Sequence, residues 1–239
     1  MHMGRIGIIG AMEEEIALLK EKMEIEVIVK KASMEFYQGT LNGHEIVVVR
    51  SGIGKVNAGL CAQILVDVFN VNRLINTGIA GSLKAEINIG DIVISSDTLQ
   101  HDMDARNFGY ARGEIPRMGT VSFPADPELI SIAREACEEV NPEIGVFVGR
   151  VVTGDQFIAE RSIKNEIASW TDGYCTEMEG AAIAQAAYLN RVPFVIVRAI
   201  SDKADDSATM DYPTFERQAI EHSVKLIEAF VARIPEDVY

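Results

Sequence analysis

Several carboxylates in this sequence stand just past an apolar run, and in open α/β sheets ligands bind beyond the carboxyl ends of the strands. Glu13-Glu14-Glu15 follows the run Arg5 to Gly10, Glu177 and Glu179 flank Met178 at the start of an Ala-rich stretch, and Asp202 closes Val195 to Ser201. Carboxylates so placed can give or take a proton, or hold hydroxyl groups. Each also has a plain structural reading. Acids in a first helical turn gain from the helix dipole, and for Glu13-Glu14-Glu15 the pattern alone favours capping. For Glu179 capping and function weigh equally, because the same dipole keeps a carboxylate ionised and able to accept hydrogen bonds from sugar hydroxyls.

Other polar groups limit the chemistry. Arg198 lies in the most apolar strand of the chain, on one face with Ile200 and Asp202, and a charge there must be paired. Glu177 or Glu179 is the expected partner. Gly52-Ile53-Gly54 is followed by its next glycine at Gly59, which misses the dinucleotide-binding spacing, and no P-loop pattern occurs. His101-Asp102-Met103-Asp104 offers one histidine to a metal, so a solvated loop is the favoured reading.

These groups need elements to position them. The spacing predicts a strand over Arg5 to Gly10, then a helix over Met12 to Lys22. Asn42-Gly43 predicts a hairpin joining Met34–Leu41 to His44–Arg50, so the sheet should be mixed. Gly54 to Phe69 reads as a helix, Arg73 to Thr77 as a strand ending in a Gly78-Ile79-Ala80-Gly81 loop, and Asp91 to Ser95 as another strand. Gln100 to Pro124 reads as a long functional loop. Helices are predicted over Pro127 to Val140, Arg161 to Trp170, Glu179 to Leu189 and Pro213 to Val231, the last with Pro213 in its first turn. Val146 to Thr153 and Phe194 to Ile200 read as strands. Small residues from Gly180 to Ala186 let their helix pack closely, which buries its start.

The chain has 239 residues, 48% of them hydrophobic but only 7% aromatic, which suits one α/β domain spanning 1–239. Met1-His2 ahead of Met3 reads as a cloning remnant. A net charge of -14 without any long basic run excludes a nucleic-acid partner. Three scattered cysteines suggest neither disulfides nor a paired-Cys metal site, and neither a membrane span nor a signal peptide is expected. The cytoplasm is the expected location.

Taken in order, Gly7 to Glu15, Ser51-Gly52-Ile53-Gly54-Lys55-Val56, Asn76 to Gly81, Gly154-Asp155-Gln156-Phe157-Ile158, Glu177-Met178-Glu179 and Arg198-Ala199-Ile200-Ser201-Asp202 resemble the 5′-methylthioadenosine/S-adenosylhomocysteine nucleosidases. The resemblance spans almost the whole chain. It implies a nucleoside phosphorylase-like three-layer αβα fold with a central mixed sheet, a homodimer, and no cofactor or metal. It further implies that Glu15 activates the attacking water and Asp202 protonates adenine at N7, with Ser201 orienting Asp202. Glu179 would bind the ribose hydroxyls beside Met178, with Phe157 stacked on the base and the Ile158 backbone at its edge. Ala80, Gly81 and Glu177 would complete the substrate-binding wall. Met12, Ile53 and Tyr212 match the apolar 5′ pocket, with Phe108 and Pro116 lent by the other subunit. Ile79 and Tyr212 stand where relatives often carry a smaller residue and Phe, respectively. Two rivals remain at this point: a phosphate-dependent nucleoside phosphorylase of the same fold, and a non-catalytic purine-binding module.

Overall fold

In the computed structural model, which describes residues 4–205 and 208–235, the first apolar run is β1 (Ile6–Gly10), buried along its whole length. Met1 and His2, the suggested cloning remnant, lie outside the described residues. Burial on both faces is what an unbroken apolar run calls for, and β1 lies between two parallel neighbours, β4 (His44–Arg50) and β5 (Arg73–Ser82). The predicted hairpin forms between β3 (Met34–Leu41) and β4. Asn42 and Gly43 at its tip have φ of 51° and 85°, the mirror-image turn that this dipeptide favours.

An edge strand absent from the sequence reading, β2 (Glu24–Lys31), pairs antiparallel with β3. Its turn is Ala32-Ser33, with φ of 48° and 61°. Left-handed conformations cost such residues roughly 1–2 kcal/mol each, so no ordinary turn signal marks this hairpin.

β5 continues through Gly78-Ile79-Ala80-Gly81 instead of ending in the expected loop, because it gains two further partners. β10 (Phe194–Asp202) runs parallel to it and β9 (Cys175–Glu177) antiparallel to its end. β10 pairs with β6 (Ile92–Gln100), β6 with β8 (Val146–Thr153), and β8 with β9. A path leaving β5 through β10 therefore returns to β5 through β9. Five strands form a closed ring, and β1, β4, β3 and β2 extend from it as an open arm. β7 (Ser122–Pro124) adds to β6 inside the long loop.

Helices cover both faces, as the expected three-layer α/β architecture requires. α1 (Glu13–Lys22), α3 (Pro127–Val140) and α6 (Ala208–Val231) bury Ile16, Leu19, Ala133, Leu226 and Ile227 against one face. α2 (Lys55–Phe69) and α5 (Gly180–Asn190) cover the other with Ala58, Leu65, Ile183 and Ala187. α4 (Arg161–Thr171) closes a smaller cluster with Leu99, Val152 and Ile158. The closing helix starts at Ala208, so Pro213 lies inside it and not in its first turn. The one hydrogen bond that proline forgoes is outweighed where α6 packs on α3 and β10.

Candidate active site

The strand ends of β1, β5, β9 and β10 meet at one cavity of about 620 Å³. Glu15, Met12, Ile53, Ala80, Gly81, Phe157, Ile158, Glu177, Met178, Glu179, Ser201, Asp202 and Tyr212 all line it. Sequence segments nearly 190 residues apart thus converge as the motif order suggested.

Glu15 sits in the first turn of α1, where it caps the helix and also lines the cavity. One carboxylate oxygen accepts hydrogen bonds from the N–H groups of Ala11 (2.6 Å) and Met12 (3.0 Å), which caps the helix. The other accepts from Ile79 N–H at 3.2 Å. Burial pushes its pKa above the ordinary value, while the Arg198 charge and the three N–H groups oppose that rise.

Asp202 ends β10. Its carboxylate accepts from the Ser201 hydroxyl (2.9 Å) and from Ala204 N–H (2.7 Å). Burial again raises its pKa, against those two bonds. A raised pKa moves a buried carboxyl toward the range in which it can donate a proton.

Glu177 and Glu179 divide the start of α5 differently from expectation. Glu179 makes no capping bond; it accepts instead from Gly54 N–H at 2.9 Å. Glu177 takes the N–H groups of Glu179 (3.1 Å) and Gly180 (2.7 Å), and accepts from the Thr153 hydroxyl. The helix dipole is not the dominant influence on Glu179. Burial first, then the neighbouring Glu177 charge, push its pKa up to about 7.

Arg198 is the buried cation behind these acids, with no solvent exposure. Its Nη2 donates to Glu177 and to the side-chain amide oxygen (Oδ1) of Asn76, and lies 3.8 Å from Glu179, so the expected ion pair is present with both candidates. Asn76 also donates to the Ile9 carbonyl at 2.9 Å. The sequence reading assigned Asn76 no role, although a polar residue after Leu74-Ile75 had to find partners. It likewise passed over Gln156, Thr176 and Pro213, which also line the cavity.

Two glycines of β5 are required by proximity. A Cβ at Gly78 would lie 2.0 Å from Arg198 Nη1 and 2.6 Å from a Glu15 oxygen; one at Gly81 would lie 2.7 Å from an Asp202 oxygen. Gly78 and Gly81 thus leave room on β5 for Glu15, which comes from α1, and for Asp202, which comes from β10.

Phe157 and Ile53 stand at the cavity rim, about half exposed, and Phe157 meets Tyr212 edge-on with centroids 5.8 Å apart. Tyr212 OH lies 3.4 Å from Met12 Sδ. Phe108 and Pro116 are not in this cavity: Phe108 is on a short 3-10 turn and 85% exposed, and Pro116 is half-buried in the same long loop. His101 departs from the solvated-loop reading. It is buried against Gly154, while Asp102 pairs with Lys55 at 2.6 Å and accepts from Asp155 N–H. No group of three metal-ligating side chains occurs among the described residues.

The sequence pattern of the phosphorylase superfamily matches residues 5–232. A 5′-methylthioadenosine/S-adenosylhomocysteine nucleosidase of Exiguobacterium sp. is 39% identical over 231 residues, covering 96% of this chain and 98% of the relative. The nucleosidase of that name from Neisseria meningitidis, solved with methylthio-immucillin-A, superposes with a TM-score of 0.93 at 37% identity, over 96% of this chain and 99% of its own. Helicobacter pylori futalosine hydrolase superposes with a TM-score of 0.91 at 30% identity, over 97% and 98% of the two chains.

Proposed function

This chain belongs to the phosphorylase superfamily, and within it to the 5′-methylthioadenosine/S-adenosylhomocysteine nucleosidases, and we propose how its own residues divide the reaction. The reaction is hydrolysis of the N-glycosidic bond of an adenine nucleoside with a thioether at its 5′ carbon. Adenine and the thioribose leave as products.

Breaking the bond from C1′ to N9 builds positive charge on the sugar and negative charge on the purine. Asp202 gives its proton to N7, so the electron pair of the broken bond ends on a neutral adenine. Glu15 takes a proton from water as the water oxygen bonds to C1′. Glu179 accepts from the ribose hydroxyls next to Met178. Phe157 packs on the purine, Ile158 meets its edge, and Ser201 holds Asp202 in place. Ala80, Gly81 and Glu177 form the wall beside them. Met12, Ile53 and Tyr212 surround the 5′ substituent.

The observation that carries this reading is the charge of the cavity. Glu15, Glu177, Glu179 and Asp202 line it, and no Lys, Arg or His does among the described residues. Phosphate as the nucleophile would meet acids with no cation facing it, whereas neutral water needs only a base. The Helicobacter neighbour supports room for other 5′ groups, such as aminodeoxyfutalosine or 5′-deoxyadenosine, on the same adenine end.

We further propose a single functional unit over 1–239, working as a homodimer in the cytoplasm. Large apolar side chains at Val56 and Leu60, one turn apart on α2, and at Phe108 are exposed, which supports a covered face. In that dimer Phe108 and Pro116 reach the other subunit's site. Cys61, Cys137 and Cys175 are free, which supports a reducing compartment. No helix of the described residues is long and apolar enough to cross a membrane.

Adenine release from methylthioadenosine, followed chromatographically with and without phosphate, tests the reaction. Release without phosphate, with free methylthioribose, is expected. A requirement for phosphate would replace the hydrolase with a phosphorylase, and no release in either buffer would favour a binding role.

A further inference from the structure

The catalytic cavity does not end at Met12 and Ile53. A second cavity of about 600 Å³ adjoins it and shares Ala11, Met12 and Ile53 with it. The chemistry of its wall is different. Glu13, Glu14, Ser33, Arg50, Ser51 and Asn57 line it, so it holds charges of both signs. Arg50 is the last residue of β4, paired in register with Gly10 at the end of β1, which fixes its backbone beside the catalytic strand ends. Glu13 is held by Lys20, but neither Arg50 nor Glu14 makes a side-chain ion pair among the described residues. A cation and an anion therefore share one cavity without neutralising each other.

Resting on the reading that Met12 and Ile53 surround the 5′ substituent, we infer that the second cavity receives a 5′ tail ending in an α-amino acid group. Arg50 takes its carboxylate and Glu14 its ammonium. A methylthio group ends within the apolar wall of Met12, Ile53 and Tyr212. A homocysteinyl group continues from the same sulfur through two methylenes to a zwitterion, which the apolar wall cannot partner. The unpaired charges next door can, and the guanidinium fork matches a carboxylate in two parallel hydrogen bonds. Arg50 is thus a specificity residue: it favours S-adenosylhomocysteine over methylthioadenosine without touching the reacting atoms.

The test is kcat/KM for both nucleosides, read as adenine release, in the wild type and in Arg50→Ala, Arg50→Lys, Arg50→Glu and Glu14→Gln. The ratio of S-adenosylhomocysteine to methylthioadenosine should fall about five- to tenfold in Arg50→Ala, the range of a partly exposed charge-assisted contact. It should fall further in Arg50→Glu, fall in Glu14→Gln, and largely recover in Arg50→Lys. Because both substrates are measured on one protein, a folding defect lowers both values and leaves the ratio alone. An unchanged ratio in Arg50→Ala and Arg50→Glu overturns the inference while leaving the nucleosidase intact. A wild type inactive on both nucleosides refutes the nucleosidase reading and takes this inference with it.

Discussion

Replacing Arg198 with methionine keeps most of its volume and removes the one cation that Glu15, Glu177 and Glu179 share. Arg198 has no solvent exposure, so its removal leaves Glu177 without its buried partner behind the cavity wall. Breaking a buried pair from one side costs about 3–5 kcal/mol. At roughly 2–4 °C per kcal/mol for a chain of this size, the thermal midpoint should drop by about 6–20 °C at pH 8. The sign of the pH dependence follows from the acids. Burial already raises Glu15 and Glu179 above the ordinary value of 4.5, and the Arg198 charge restrains both, so its loss raises them further. A folded-state pKa above the unfolded one means stability present below about 4.5 and lost as pH climbs through the folded value. The deficit of Arg198→Met against wild type should therefore shrink by more than half between pH 8 and pH 5. Thermal melts by circular dichroism at the two pH values, without ligand, measure it. A drop under about 2 °C at pH 8, or an equal drop at both pH values, would refute the shared-cation argument. The double variant Glu177→Gln with Arg198→Met should recover part of the loss, since it no longer strands that acid.

Three further outcomes are expected. Asp202→Asn should lower adenine release about 10²- to 10⁴-fold while the thermal midpoint stays within a few degrees, since an amide oxygen can still accept from Ala204 N–H. In the wild type, burial raises Asp202, so kcat/KM should fall as pH rises through a value above the ordinary 3.8; a pH–rate profile without that limb would count against the acid role. Gly78→Ala meets no strain from a positive φ, yet its methyl would press on Arg198 and Glu15, so turnover should fall more than tenfold with about 1–3 kcal/mol of destabilisation. Normal turnover in that variant would mean that Glu15 has more room than the structure gives it.

The parts of this fold that were legible in the sequence are those where local chemistry and the final fold agree. Asn42-Gly43 announced its hairpin because both residues tolerate a positive φ, and Arg198 announced its carboxylate because a buried charge has few alternatives. Ala32-Ser33 hid a second hairpin, since its turn is held by the pairing of β2 with β3 against local preference. Gly78 to Gly81 read as a loop because glycine usually marks one. Here the glycines leave room for Arg198, Glu15 and Asp202, a reason that exists only once distant strands have met. The raised pKa of Glu179 was not legible for a similar cause. The dipole is local and visible, but the burial and the Glu177 charge that outweigh it are products of folding. The motif residues for the acids and the apolar wall converged on one cavity, while Asn76 and Gln156 went unassigned inside motifs that had been noticed.

The ring of strands has a consequence for how the protein is made. β5 needs β9 and β10 to complete its pairing, and they lie about 90 to 110 residues further along the chain. At 5–20 residues per second, a ribosome leaves one edge of β5 open for about 5–20 s after it emerges. That edge carries the apolar Ile75, Ile79 and Ala80, each of which stays buried once the ring closes. The nascent chain is thus most exposed to misassociation during the stretch before its own last third arrives. Any fragment that stops short of β10 will lack Asp202 and also leave the remaining strands unable to close around it.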